Sequence, residues 1–199
     1  MENVKVRVTF IEEVLGMTNS DPDIHEEYIA SKAPDAKSKE EEIEAIGVDA
    51  VVDKQKTIFP RDNEGNPIIW DYQIKGFFKD TAGMLRKVSG TKCSKVKAYK
   101  KEIDGLLFPQ PRQIVIHLPE GKEIGNCQRP LRASTPQGER VALANSETVP
   151  VGSYIEFEVK CFTKDMAELV IECLDYGIYR GMGQWRNSGK GRFEYQILE

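Results

Sequence analysis

The residues best suited to chemistry lie near the C-terminus, where Gly177 to Gly191 contains five glycines. A glycine in ordered structure costs about 0.5–1 kcal/mol relative to alanine, so an unusual backbone course is expected there. The same stretch supplies aromatic and cationic side chains: Tyr179, Arg180, Trp185, Arg186, Lys190 and the adjoining Arg192. Basic side chains neutralise phosphates, and an indole stacks on a base for about 1–3 kcal/mol. The stretch predicts a loop that binds single-stranded nucleic acid; the alternative is a hairpin with Trp185 packed on the core.

A second basic group lies on a helix predicted to follow Pro67-Ile-Ile-Trp70. At about 100° per residue, one mostly apolar face contains Ile74, Phe77, Phe78, Thr81, Met84, Leu85 and Val88. Lys75, Lys79 and Arg86 lie on the opposite face. The following segment, Ser89 to Lys101, is basic and poor in large apolar residues, which predicts a loop. From Lys75 to Lys101 there are nine basic residues and one acid, Asp80, so this stretch is a binding patch or a solvated basic face.

The charge distribution decides whether a nucleic-acid partner is compatible with an acidic chain. The net charge is −4, but residues 1–59 carry 7 Lys/Arg against 14 Asp/Glu, a net of −7. Residues 60–199 therefore carry 21 basic against 18 acidic residues, a net of +3. The chain is polarised, and its basic part coincides with the two candidate binding elements.

The order of elements predicts an α+β fold with a ferredoxin-like antiparallel sheet. Residues 3–11 and 154–162 alternate apolar and polar side chains, as half-buried strands do. A helix from Lys164 to Tyr176, the glycine-rich loop and a strand from Arg192 to Leu198 complete the second half of a βαββαβ unit. We also predict a short strand from Gln113 to His117 and a hairpin within residues 128–144 that turns at Ser134 to Gly138. All 199 residues form one predicted domain.

Three segments resemble one known family. Gly177 to Arg192 resembles the C-terminal glycine-rich loop of the repeat-associated mysterious protein (RAMP) superfamily, the RNA-binding subunits of CRISPR effector complexes. Pro67-Ile-Ile-Trp-Asp-Tyr-Gln-Ile-Lys75-Gly-Phe-Phe-Lys79 resembles the helix entry "Pro-x-Ile-x-Gly-Ser-Ser-x-Lys-Gly" of their backbone subunits, with Asp71-Tyr72 at the Gly-Ser position. Val149 to Val159 resembles their "Pro-x-Gly-Thr-x-Phe" strand. The three matches cover about the second two-thirds of the chain, in the family's order.

The resemblance implies a modified RNA-recognition-motif (RRM-like) domain with helices on one face of the sheet and residues 89–148 as an inserted, thumb-like β-hairpin segment. It also implies that Lys75 and Lys79 contact the nucleic-acid backbone, and that head-to-tail copies or other CRISPR-like effector subunits are partners in antiviral defence. The predicted nucleic-acid-binding residues are Lys75, Lys79, Arg86, Arg180, Gly181, Gly183, Trp185, Arg186, Gly189, Lys190, Gly191 and Arg192. The predicted partner is single-stranded RNA, with DNA as an alternative, and no cofactor is expected.

Two other function classes stay open. One is an interaction protein of a phage or mobile element, structural or inhibitory, whose basic patches dock on acidic partners. The other is a metal-dependent endoribonuclease, because some family members cut RNA with an aspartate after the first strand, where Asp21 and Asp23 stand here. Aspartates beside Asn, Ser and Pro are usually turn formers, and neither His25 nor His117 has a partner at ligand spacing. A binder is therefore favoured over an enzyme.

The expected location is the cytoplasm, away from any membrane. The N-terminus starts on a strand-like pattern without a charged and apolar leader, and no apolar run is long enough to span a bilayer. Cys93, Cys127, Cys161 and Cys173 lie too far apart for a CxxC pair, so we interpret them as reduced thiols.

The outer face of the predicted sheet is expected to be charge-compensated. If the first strand lies beside the strand of residues 154–162, Lys5 and Arg7 can pair with Glu156 and Glu158. That face also lacks the paired aromatics on which RRM domains stack bases. Binding is therefore expected on the loop and on the edge of the basic helix.

This expectation predicts different effects for two charge reversals. Arg186→Glu should weaken the binding of a labelled single strand far more than Lys5→Glu, because Lys5 lies on the compensated face. Filter binding of the two variants measures the difference, and equal losses would contradict the assignment to the loop.

Overall fold

The computed structural model describes residues 1–19, 56–135 and 138–199, and of residues 131–135 and 138–143 it describes the backbone only. Asp21, Asp23 and His25 therefore lie outside the described residues. Within the described parts of the chain, no helix is long and apolar enough to cross a membrane.

A six-stranded sheet forms the centre of the fold. Its strands are β1 (Glu2–Phe10), β5 (Ile68–Trp70), β6 (Leu107–Gln110), β7 (Gln113–His117), β10 (Tyr154–Cys161) and β11 (Phe193–Leu198). They follow the order β11-β1-β10-β7-β5, and β6 also pairs with β10. Each of these pairs is antiparallel, so the sheet places neighbouring chain segments in alternating directions.

The connections between these strands make the fold ferredoxin-like. In the chain, helix α1 (Asp71–Leu85) lies between β1 and the strands β6 and β7. Helix α4 (Lys164–Arg180) connects β10 to β11. Taken in chain order, β1, α1, β7, β10, α4 and β11 thus form a βαββαβ unit, with β11 at one edge beside β1 and β10 on the other side of β1, and β5 and β6 are additional strands of the sheet. The predicted α+β class, the antiparallel sheet and the strand from Gln113 to His117 are confirmed.

Strand β1 shows why the alternating pattern forms this sheet. Val4, Val6, Val8 and Phe10 are buried against the helices, while the residues between them point to the outer face. In the observed register Lys5 lies opposite Glu158 and Arg7 lies opposite Glu156. Arg7 Nη2 is 2.5 Å from Glu156 Oε1. The outer face is therefore charge-compensated at this pair, as predicted.

Helices α1 and α4 cover the inner face of the sheet and share its core. The buried residues of α1 are Ile74, Phe77, Phe78, Thr81 and Ala82, whereas Met84 and Val88 are exposed. In α4, Thr163 caps the first turn by accepting a hydrogen bond from the Met166 amide at 3.2 Å. This helix continues to Arg180, four residues beyond the predicted end at Tyr176. Gly177, predicted as the first residue of the loop, is instead a buried residue of this helix.

The segment predicted as a basic loop, Ser89 to Lys101, is partly helical, so that prediction is wrong. It contains α2 (Lys92–Lys95) and the first turn of α3 (Tyr99–Leu106). Glu172 on α4 accepts hydrogen bonds from the amides of Lys92 and Cys93 at 2.6 and 3.0 Å, which fixes the start of α2. This contact is long-range, and a local pattern does not reveal it.

A second sheet contains the predicted hairpin. Strands β8 (Gly125–Thr135) and β9 (Gly138–Val149) pair from Gly125–Thr148 to Thr135–Gly138, so the hairpin is confirmed and is longer than predicted. Three two-residue strands complete the sheet: β2 (Val14–Leu15), β3 (Thr18–Asn19) and β4 (Thr57–Ile58). The range 89–148 thus contributes β6 and β7 to the central sheet and most of the hairpin to the second.

The packing of α4 predicts opposite effects for two glycine substitutions. A Cβ on Gly177 would lie 2.5 Å from Phe77 Cζ and 2.7 Å from Phe193 Cζ, whereas one on exposed Gly76 meets nothing within 4 Å. We expect Gly177→Ala to lower the free energy of unfolding by about 1–3 kcal/mol through overpacking. Gly76→Ala should raise it by about 0.5–1 kcal/mol. Urea unfolding measures both, and a stabilised Gly177→Ala protein would show that the core can yield at this position.

Candidate nucleic-acid interface

The C-terminal loop closes on itself through a close backbone contact. The amide of Met182 donates to the carbonyl of Gly191 at 2.9 Å, and a Cβ on Gly191 would lie 1.8 Å from Met182 O. A Cβ on Gly181 would lie 2.6 Å from Lys190 O. Gly181, Gly183, Gly189 and Gly191 all have positive φ angles, a region that other residues rarely adopt. These glycines are therefore required by the shape of the loop itself.

The closed loop is attached to the segment between β1 and β2. The Gly191 amide donates to Glu13 O at 2.9 Å, and the amides of Ile11 and Glu12 both donate to Arg192 O. Gly183 lies against Val14 and Leu15, so a side chain there would contact both residues. The loop is therefore a folded part of the domain, packed on the segment that follows β1.

Arg180, the last residue of α4, and Arg186 of the loop are held by one carboxylate on α1. Arg180 Nε lies 3.2 Å and Arg186 Nη1 lies 2.5 Å from the same oxygen, Asp80 Oδ2. The side chains of the three residues are between 25% and 32% exposed, so solvent still reaches the group. Two guanidiniums share one negative charge, which leaves this group positive.

On the other side of α1, two lysines are held by Asp104 of α3. Lys75 Nζ donates to Asp104 O at 3.1 Å, and Lys79 Nζ lies 2.5 Å from Asp104 Oδ1. Lys75 Nζ also lies 4.6 Å from the centre of the Phe108 ring. Burial lowers the pKa of Lys75, and the charge of Asp104 partly offsets this. The neutralisation of these lysines is therefore incomplete.

Arg86 lies at the C-terminal end of α1, about two helical turns beyond Lys79. Its guanidinium lies 5.1 Å from the centre of the Tyr99 ring rather than beside a carboxylate. We call the group formed by these residues the α1 surface; its members are Lys75, Lys79, Asp80, Arg86, Asp104, Arg180 and Arg186. It brings together five of the predicted site residues, from two distant parts of the sequence.

The remaining cations of the loop lie elsewhere. Lys190 Nζ is 2.7 Å from Glu13 Oε2, and this hydrogen bond raises the pKa of Lys190. Arg192 is exposed, and its side chain lies near Gly189. Neither residue belongs to the α1 surface.

Trp185 faces the hairpin. Its side chain is 41% exposed, and its backbone has a left-handed conformation with φ 55°. The Arg129 guanidinium of β8 lies 5.0 Å from the centre of the indole. The alternative in which Trp185 is packed in the core does not describe this side chain.

Sequence reasoning missed the residues that organise these cations. Asp80 stood out only as the one acid in a basic stretch, and nothing in the sequence indicated Asp104 or Arg129. Each of them acts through partners distant in the chain: Asp80 holds Arg180 and Arg186, Asp104 holds Lys75 and Lys79, and Arg129 contacts Trp185. A charge count along the sequence therefore identifies the cations but not their counterions.

The catalytic alternative has no candidate group in the described residues. Asp21 and Asp23 lie outside them, and His117 is stacked on Tyr154 with ring centres 4.6 Å apart. Residues 1–19, 56–135 and 138–199 contain no cluster of three or more His, Cys, Asp or Glu side chains that could hold a metal ion.

Comparison with known proteins finds no matching family model and no similar curated protein. Among solved structures, the chain is similar to a subunit of the type III-B Cmr-beta complex bound to cognate target RNA, with 10% identity and a TM-score of 0.49. That match covers 99% of this chain and 60% of the other. A subunit of a type IV-B CRISPR complex matches with 12% identity and a TM-score of 0.48, over 99% of this chain and 90% of the other. The fold assignment rests on the strand order and connections described above.

The loop closure predicts unequal effects for two glycines with similar backbone angles. Gly189 and Gly191 have φ angles of 85° and 74°, so alanine at either costs about 1–2 kcal/mol of left-handed strain. A Cβ on Gly189 meets its nearest atom at 3.8 Å, whereas one on Gly191 lies 1.8 Å from Met182 O. Gly191→Ala should therefore lower the free energy of unfolding by at least about 1–3 kcal/mol more than Gly189→Ala. Urea unfolding compares them, and equal losses would argue against the closed loop.

Proposed function

We propose that this protein binds single-stranded RNA as a divergent RAMP-type subunit of a CRISPR-like effector complex, and that the α1 surface contacts the phosphates. The observation that carries the proposal is the gathering of five cations around two carboxylates on two sides of α1, a formal excess of three positive charges among these seven residues. A chain whose net charge is −4 has no general reason to concentrate positive charge there. A polyanion is the partner that this arrangement suits.

The internal ion pairs do not prevent this role. Partly exposed ion pairs contribute about 0–1 kcal/mol, so a phosphate can compete with Asp80 or Asp104 at small cost. A strand engages several phosphates at once, and each contact releases condensed counterions. The carboxylates then keep the cations ordered in the absence of RNA without neutralising them fully.

The outer face of the sheet is a poorer candidate for this partner. Arg7 is paired with Glu156, and Tyr154 is already in contact with the Arg7 guanidinium and the His117 ring. An RRM domain needs open aromatic rings on that face to stack bases. We therefore extend the RNA binding of the type III-B complex to this chain on its helical side.

Location and partners follow the same proposal. The cysteines of the described residues are unpaired, and Cys93 Sγ and Cys173 Sγ are 3.9 Å apart as thiols, which suits a reducing cytoplasm. Other effector subunits or further copies of the chain are the proposed protein partners. Lys190 and Arg192, with residues 89–148 as a thumb-like insertion, stay part of the proposed RNA-binding region.

The proposal predicts that removing one internal anion strengthens RNA binding. Asp80→Asn releases two guanidiniums, and we expect the affinity for a labelled single-stranded RNA to rise about fivefold, the equivalent of about 1 kcal/mol. Glu156→Gln is the matched control, because it changes the net charge equally and releases Arg7 on the outer face. Fluorescence anisotropy over a range of salt concentrations measures both, with DNA of equal length as a second ligand.

Two outcomes contradict the proposal. If Glu156→Gln strengthens binding as much as Asp80→Asn, the effect comes from net charge and the α1 surface has no special role. If the unmodified protein binds no RNA even at low salt, the alternative of an interaction protein with an acidic protein partner is favoured.

A further inference from the structure

The hairpin contributes a buried cation that no carboxylate balances among the described residues. Arg129 of β8 is 6% exposed. Its Nη1 donates to Ser146 Oγ at 3.3 Å, and its Nη2 donates to Gln184 Oε1 at 3.2 Å. Both acceptors are neutral, and Nε is buried without a hydrogen-bond partner in the described chain.

This arrangement is unusual for a guanidinium. Arginine has five N–H donors and a permanent charge, and arginines buried to this extent are normally paired with an anion. Here two donors are used, and neither partner supplies negative charge. Among the described residues the group therefore lacks an anionic acceptor, and an anionic oxygen is the chemistry that completes it.

The neighbouring Trp185 offers a second kind of contact. The Arg129 guanidinium covers part of the indole, whose side chain is nevertheless 41% exposed. The left-handed backbone of Trp185, with φ 55°, is sustained by local contacts such as the Ser188 hydroxyl, which donates to Trp185 O at 2.9 Å. Strained residues of this kind concentrate at ligand-binding positions. The indole is thus partly exposed beside the buried cation.

We propose that Arg129 and Trp185 form a nucleotide subsite at the junction of the hairpin and the C-terminal loop. An unpaired base stacks on the exposed part of the indole, and a phosphate oxygen of the same strand accepts from Arg129. Gln184 is a positioning residue, because its Nε2 donates to Gly16 O at 2.8 Å while its Oε1 holds Arg129. The subsite rests on the proposed function and deepens it, since it brings the hairpin into contact with the strand.

A nucleotide fits this pair of groups better than a simple anion does. Inorganic phosphate satisfies the guanidinium but makes no use of the indole. A nucleoside monophosphate has both a flat base and an anionic oxygen, and base stacking on aromatic rings tolerates different sequences.

The two tryptophans of the chain allow a direct test. In a Trp70→Phe protein, Trp185 is the remaining tryptophan. Adenosine 5′-monophosphate or a ten-nucleotide oligoadenylate RNA should quench its fluorescence. Inorganic phosphate should compete with the monophosphate without quenching by itself, which tests the role of Arg129 in an otherwise unchanged site. Arg129→Met in this background should lower the affinity for the monophosphate at least about tenfold, because a charge-assisted hydrogen bond is lost.

Arg112→Met is the matched control. Arg112 is an exposed arginine whose guanidinium lies 5.9 Å from the centre of the Trp70 ring, and it is distant in sequence from Trp185. It should leave the quenching unchanged. Circular dichroism establishes whether Arg129→Met is folded. If it is not, the phosphate competition in the Trp70→Phe protein tests the role of Arg129.

The outcomes separate this inference from the proposed function. RNA binding by anisotropy without quenching of Trp185 overturns the subsite and leaves the proposed function standing. Quenching by the monophosphate without any RNA binding supports the subsite and overturns the proposed function. If phosphate does not compete with the monophosphate, or if Arg129→Met leaves the quenching intact, the role of Arg129 is overturned.

Discussion

The close contact between Met182 and Gly191 is the constraint on which the C-terminal part of the structure depends. The backbones meet so closely that a side chain at Gly191 would overlap the Met182 carbonyl. Closing the loop here determines where the residues between these two points project. Arg186 reaches Asp80 on α1, Trp185 reaches Arg129 on the hairpin, and Lys190 reaches Glu13 after β1. The closed loop thus contacts α1, the hairpin of the second sheet and the segment after β1.

The electrostatics of the molecule follow from these connections. Most of the loop's cations have a carboxylate partner, so the local positive charge is lower than a count of basic residues suggests. On the α1 surface, however, the cations outnumber the carboxylates, because Asp80 holds two guanidiniums and the Arg86 guanidinium lies beside the Tyr99 ring. On the outer face of the sheet, Arg7 and Glu156 are matched one to one. The two faces therefore differ in the ratio of cations to carboxylates.

The glycine-rich loop illustrates how one composition can have two physical causes. An unusual backbone course was expected at these glycines, and at Gly181 and Gly191 it brings two segments of the protein's own backbone together. The binding role proposed for the loop therefore rests on its side chains. Trp185 is held outward beside a buried arginine, and this arrangement depends on the hairpin as much as on the loop.

The sequence by itself determined the strands β1, β7, β10 and β11, the two main helices and the hairpin, because alternation in β1 and β10 and the helical spacing of Ile74, Phe77 and Phe78 are local consequences of backbone geometry. It also located the cations that form the α1 surface. It did not reveal α2, the extension of α4 to Arg180, or the partners Asp104 and Arg129, because each depends on contacts between segments far apart in the chain or on different elements. Which cations remain in excess was decided only by the tertiary structure, since an ion pair depends on distance in space and not on separation in sequence.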